Sequence, residues 1–347
     1  MFSRFIVSSA NCFRRLERNL QRGYRAALLS KFNEPLVITD KKEMSAHDGE
    51  MIVRMEAAAL NYSDIEMIKG NYYLKPTLPF VPGFEGAGTI KEVGKGVEEF
   101  KEGDRVVIIK TTDRGAFAEE CCVKENDLVF HIPYSMDCES AAAIAVSYGS
   151  AYTALQKMAF ERQGSSLLVL SSKGTTGFAA VDLAQNIFKA KVFAASDSEE
   201  KLGKLRETGV ISLFNYTDGQ LARNVKKMTM GQGVDLIIDT VGGSVFEQSL
   251  NCLRTGGHIV SLGFSSGVIP SLNLLDLHRL QASVSGMWLG GCHRKEIKAI
   301  VDSLIGFFEE GFLNVRIGKR YSLDQINDCI KEIVEDKVFG KVIVTML

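Results

Sequence analysis

Two rhythms of apolar and polar positions divide this chain. From residue 24 to about 146, short apolar runs broken by turn residues predict strands at 24–29, 51–58, 86–93, 104–110 and 117–123. After Tyr148 the rhythm changes. Strand-like runs at 165–172, 191–196, 212–216, 234–241, 258–264 and 283–288 alternate with helical patterns such as 177–188 and 199–208. Strands spaced by helices of that length imply right-handed βαβ units on a parallel sheet. Six of them suit a doubly wound dinucleotide fold, so the fold class is α/β with a Rossmann sheet behind a mostly β region. From residue 295 an amphipathic helix leads to Lys341-Val342-Ile343-Val344, a run short enough to be a strand. No repeat or low-complexity linker parts the two regions, which predicts a close interface with the ligand cleft between them.

Composition changes this picture little. At 347 residues, 46% apolar and 24% charged, the chain is ordinary for a globular protein and long enough for two domains. A net charge of −1 gives no electrostatic case for nucleic acid. No apolar run approaches the ~20 residues of a membrane-spanning helix, so no membrane insertion is expected. Seven Cys include no C-x-x-C pair and read as buried thiols in a reducing compartment. His47, His131, His258, His278 and His293 form no metal-spaced set and read as surface or loop histidines.

The first residues stand apart. Arg4, Arg14, Arg15, Arg18, Arg22 and Arg25 face a single acid, Glu17, with Phe2, Phe5, Ile6 and Phe13 roughly on one helical face. That is the composition of a mitochondrial transit peptide, the alternative being a solvated basic tail. Residues 1–23 are therefore expected to be a cleaved leader and the mature protein to work in the mitochondrial matrix.

Candidate chemistry begins where the first βα turn should lie. A strand-like run leads into Ser171-Ser172-Lys173-Gly174-Thr175-Thr176-Gly177 and then a helix. Gly174 and Gly177 match the last two glycines of the dinucleotide fingerprint. Gly174 would let a pyrophosphate approach the backbone, and Gly177 would let the helix pack against the strand. With Thr175 and Thr176 they would place phosphates on the helix N-terminus.

Further upstream the chain reads Leu60-Asn61-Tyr62-Ser63-Asp64, Gly70-Asn71-Tyr72, Gly83-Phe84-Glu85-Gly86-Ala87-Gly88 and Gly103-Asp104-Arg105-Val106. In that order these motifs resemble the medium-chain dehydrogenase/reductase superfamily, which joins a GroES-like β-barrel catalytic domain to a nucleotide-binding domain. Its zinc alcohol dehydrogenases carry a Cys where this chain has Asn61 and a His where it has Phe84. An amide and a phenyl ring cannot replace a thiolate and an imidazole as zinc ligands. The resemblance narrows to the zinc-free quinone oxidoreductase (zeta-crystallin-like) family, and no metal is expected. It implies a GroES-like domain over 24–147, a Rossmann domain over 148–290 and a return of the chain to the first domain over 291–347.

The resemblance also implies roles. Ser196, Lys201 and Tyr216 match, in type and spacing, the three residues that contact the 2′-phosphate of NADPH in these reductases. A hydroxyl, an ammonium and a phenol are all donors to a dianion. Asp197 leaves an alternative, since a register one residue later would set a carboxylate against the ribose and favour NAD. Ser150, Leu262, Phe264, Ser265 and Lys341 match positions beside the nicotinamide and its ribose. Asn61, Tyr62 and Tyr72 are the candidate donors to a substrate oxygen, Tyr72 resembling the catalytic Tyr of mitochondrial enoyl thioester reductases. Asp64 reads as a turn or helix cap, and Glu85 as either a polar group facing the cleft or a surface charge. Trp288 falls on the last Rossmann strand, which in this superfamily pairs with its twin and implies a homodimer. The expected function is NADPH-dependent hydride transfer to a quinone or activated enone. The alternatives are a mitochondrial 2-enoyl thioester reductase and a non-catalytic NADPH-binding sensor.

Overall fold

The computed structural model describes residues 23–110, 115–157, 164–171, 174–206 and 208–346. The expected leader lies outside the described residues except for Gly23, and so do Ser172 and Lys173 of the glycine loop.

The first part is antiparallel β structure. Strands β1 (Tyr24–Leu28) and β2 (Val37–Lys41) form a small ribbon. The long β3 (Glu50–Leu60) is followed by the short helix α1 (Tyr62–Ile68), then β4 (Glu85–Val93), β5 (Arg105–Ile109), β6 (Glu120–Lys124) and β7 (Leu128–His131). Strand β3 pairs with both β4 and β6, and β4 continues through β5 to β7. Gly88 is required here, because a Cβ on it would lie 2.1 Å from the Arg54 carbonyl oxygen of β3. Helices α2 (Cys138–Ile144) and α3 (Ser147–Lys157) lead out of this barrel.

The second part alternates as its sequence rhythm predicts. It runs β8 (Ser166–Leu170), α4 (Thr175–Asn186), β9 (Lys191–Ser196), α5 (Glu199–Arg206), β10 (Ser212–Asn215) and α6 (Leu221–Met228). It continues with β11 (Val234–Asp239), α7 (Gly243–Leu250), β12 (Leu253–Ser261), α8 (Leu274–Leu280) and β13 (Ser283–Gly286). All six strands are parallel, in the order β10-β9-β8-β11-β12-β13. The order reverses between β8 and β11, where doubly wound sheets open a crevice for ligands. Side-chain alternation sorts each central strand between two cores: Leu167 and Val169 face one, Leu168 and Leu170 the other.

The chain then returns to the barrel. Helix α9 (Arg294–Glu309) precedes β14 (Ile317–Ser322), α10 (Ile326–Val334) and β15 (Lys341–Thr345), and β15 pairs antiparallel with β3. One core runs from Ala57, Ala59 and Val107 of the barrel to Leu167, Val169 and Val192 of the parallel sheet, so the two parts share buried apolar contact. Strand β12 begins five residues before the expected 258, and β14 lies where no strand was expected. Trp288 lies two residues beyond β13 rather than on it. His258 sits within β12 and bonds Ser283 and Ser285, so it is a strand residue and not a loop histidine.

Candidate active site

Ten of the sequence-selected residues line one cleft of about 900 Å³: Asn61, Tyr62, Tyr72, Ser150, Gly174, Thr175, Thr176, Leu262, Phe264 and Ser265. Its floor is the C-terminal edge of the parallel sheet, with Thr240 after β11, Ser261 at the end of β12 and Leu262 to Ser265 after it, and Met287 and Trp288 after β13. Its opposite wall is the barrel, which contributes Asn61 to Ser63, Tyr72, Tyr73 and Phe84.

Local geometry explains each contribution. Gly174 is the N-cap of α4 in extended conformation, and among the described residues no side-chain cap bond is made at that end. The backbone N–H groups there are free for an anion, and the helix dipole favours one. A Cβ on Gly174 would meet only the Thr176 backbone N, at 3.8 Å, so the cradle stays open. Gly177 is different, since a Cβ there would sit 2.3 Å from Ser171 Oγ. It lets α4 pack on the strand end, as the fingerprint requires.

On the barrel side, Asn61 caps α1 and Asp64 completes the turn. The Asp64 carboxylate accepts the Asn61 N–H (2.8 Å) and the Phe84 N–H (3.0 Å), tying the start of α1 to the approach of β4. Asp64 is fully buried, and burial pushes its carboxyl up to about 7, with Glu85 acting in the same direction and its backbone donors and Lys341 opposing.

Behind Asn61 lies a closed polar node. Lys341 Nζ meets Glu85 Oε1 at 2.6 Å, Asn61 Oδ1 at 2.7 Å and Ser147 Oγ at 2.9 Å. The ammonium's three donors all have protein acceptors. Asn61 Nδ2 donates to Glu85 Oε1 (2.8 Å), so lysine on one side and carboxylate on the other fix which way the amide points. Glu85 Oε2 accepts the Val146 N–H (2.6 Å), and Ser147 Oγ bonds Thr175 Oγ1 (2.8 Å) at the start of α4. Glu85 is thus neither exposed nor free to face the cleft. Gly340 and Val342 line the cleft, while the Lys341 side chain turns inward. Ser147 was missed by sequence reasoning; its position three residues before Ser150 on α3 was the available signal.

The wall above this node is aromatic. Tyr72 packs edge-on against Phe84 (ring centroids 5.5 Å apart) and beside Tyr73 (4.5 Å), and Tyr73 meets Trp288 edge-on (5.0 Å). Burial raises the Tyr72 hydroxyl, and donors from Tyr73 and Trp288 partly offset this. Burial also raises Tyr62, reinforced by Glu66.

Comparison with known proteins agrees with this layout. The family described as alcohol dehydrogenase GroES-like domain matches residues 47–134, and that described as zinc-binding dehydrogenase matches residues 175–305. A quinone oxidoreductase-like protein 2 homolog of Nematostella vectensis is 35% identical over 93% of this chain and 89% of its own length. Quinone oxidoreductase-like protein 2 of Bos taurus is also 35% identical, over 94% and 93%. The chain belongs to this quinone oxidoreductase family, and it is an oxidoreductase. The crystal structure of Escherichia coli quinone oxidoreductase, solved with NADPH, superposes with a TM-score of 0.85 at 25% identity, covering 93% of this chain and 100% of that one.

One matched description names zinc, and the residues do not fit that ion. Among the described residues no group of three or more His, Cys, Asp or Glu could hold a metal. Asn61 is bound to Lys341 and Glu85, Phe84 presents a ring, and an ammonium already neutralises Glu85.

Ser196, Lys201 and Tyr216 lie outside the cleft lining, at the C-terminal ends of β9 and β10 and the start of α5. The structure brings them together: Ser196 Oγ bonds Asp197 Oδ1 (3.2 Å), and the Tyr216 N–H donates to the Ser196 carbonyl (3.1 Å). Lys201 Nζ pairs with Asp197 Oδ1 (2.9 Å) and also with Asp336, from the segment between α10 and β15.

Proposed function

We propose that this cleft is the site of an NADPH-dependent reductase acting on an electron-poor acceptor, a quinone or an activated enone. The observation that carries the reading is the uncapped N-terminus of α4 at the strand-order switch, opening into an aromatic-walled cleft. A relative named quinone oxidoreductase and the NADPH complex of the Escherichia coli protein support it. NADPH, when bound, supplies a hydride.

The chain's residues then bind, orient and protonate. The backbone N–H groups at the start of α4 hold a pyrophosphate, and Gly174 gives it room. Ser196, Lys201 and Tyr216 take the 2′-phosphate. Tyr72, Tyr73, Phe84 and Trp288 set a planar acceptor between aromatic rings, with Leu262, Phe264, Ser265 and Ser150 along the cofactor side. The Tyr72 hydroxyl donates to the oxygen that becomes negative, and Asn61 and Tyr62 line the same cleft. Lys341 acts through Asn61 and Ser147 as a positioning residue. The working form in this reading is a homodimer, since β13 is an outer edge of the sheet, and its place is the mitochondrial matrix, from the leader's composition.

Tyr72 on the cleft wall also favours a second reading, reduction of an enoyl thioester. NADPH oxidation by protein lacking residues 1–23, with an ortho-quinone, an unsaturated ketone and an enoyl thioester in parallel, separates the two. Faster turnover of quinone or ketone is expected. Preference for the thioester would move the protein to fatty-acid synthesis, and tight NADPH binding with no turnover would make it a sensor.

A further inference from the structure

Lys201 has partners that a phosphate-reading lysine would have to share with its phosphate. Its side chain is 12% exposed and its ammonium is held between two carboxylates, Asp197 one turn earlier and Asp336 from the far end of the chain. Among the described residues, these ion pairs set one ammonium between two carboxylates. A dianionic 2′-phosphate arriving here must share the ammonium with these carboxylates or replace one of them, and in either case it sits beside their charge. The 2′-hydroxyl of NADH carries no charge and has no such conflict.

The two carboxylates are not equivalent. Asp197 directly follows β9, where a carboxylate can accept a ribose hydroxyl, so it bears on both cofactors. Asp336 comes from the return segment, and its neighbours Ile333, Val338 and Gly340 line the substrate cleft. Its backbone is left-handed (φ 58°), a conformation Asn adopts readily. Its N–H donates to the Ile333 carbonyl (3.1 Å).

We propose that Asp336 is a specificity-determining residue, a built-in counter-ion of Lys201 that competes with the cofactor's 2′-phosphate and narrows the preference for NADPH over NADH. The proposal rests on the reading of Lys201 as the 2′-phosphate lysine. The Asp336→Asn change keeps the side-chain shape and tolerates the backbone, so the folded protein is expected to persist while the competing charge is gone.

The test is a titration of the full chain with NADPH and with NADH, for the wild type, Asp336→Asn, Lys201→Ala and the double variant. Asp336→Asn is expected to tighten NADPH by about five- to tenfold, the size of one charge removed from beside a screened dianion, and to leave NADH unchanged. In the Lys201→Ala background the same change should tighten NADPH much less, because the counter-ion has lost its lysine. If Lys201→Ala selectively weakens NADPH while Asp336→Asn leaves the NADPH-to-NADH ratio alone, the proposal is overturned and the phosphate reading stands. If Lys201→Ala weakens both cofactors equally, the phosphate reading falls and takes the proposal with it.

Discussion

Two lysines, Lys201 and Lys341, are expected at cofactor positions from the sequence resemblance, yet the fold gives them opposite circumstances. Lys341 is 2% exposed, faces a fully buried carboxylate and has three protein acceptors around one ammonium. Lys201 is more open and lies between two carboxylates that solvent also reaches. The first is a fixed part of the interior and cannot donate to a ligand without breaking the node that orients Asn61. The second is held by partners that a phosphate can exchange. Matching a residue type to a position therefore locates a charge without saying whether it is available.

That contrast can be broken most severely at Lys341. Lys341→Met strands the Glu85 charge in the interior, and a loss of about 3–5 kcal/mol in unfolding free energy is expected. Glu85→Gln in the same chain should recover much of it, because the uncompensated charge is then gone. Urea unfolding of the two variants measures both. A loss no greater than that of a solvent-exposed pair, under about 1 kcal/mol, would mean that the node is not closed as described.

A smaller effect comes from Asp64, which shares that pocket. Its folded carboxyl titrates at about 7 because it is buried, against about 3.9 when unfolded. The folded state holds the proton more tightly. Its stabilising contribution is therefore complete below about pH 4 and is lost as pH rises through about 7. Asp64→Ala removes this dependence and leaves the Asn61 and Phe84 N–H groups without their acceptor. The stability gap between wild type and variant should narrow as pH rises across that window, as unfolding curves at a series of pH values would report. A gap that widens instead would reverse the assignment of burial as the dominant cause.

The parts of this arrangement that could be read in the sequence are those with local rules. The change from short apolar runs broken by turns to strand–helix alternation predicted the parallel sheet, and β9 runs over the expected 191–196. The Gly174–Gly177 turn was readable because backbone approach and helix packing each demand glycine at a fixed offset. Asp64 was legible as a cap for the same reason. The polar node was not, because Asn61, Glu85, Ser147 and Lys341 come from four separate elements and meet only in the folded chain. Nor was the Lys201–Asp336 pair, which spans 135 residues of sequence. Strand β14 was missed because Ile317–Ser322 is mostly polar and exposed at an edge of the barrel sheet, where no apolar alternation is needed.

Whether the aromatic wall is a reductase site is tested most directly by the kcat of Tyr72→Phe with NADPH and the best acceptor. The ring and its packing against Phe84 remain in this variant, and only the donor is removed. A fall of roughly a hundredfold in kcat with little change in KM is expected for loss of a donor to developing negative charge. An unchanged kcat would mean that another group protonates the acceptor and that the wall only shapes the cleft.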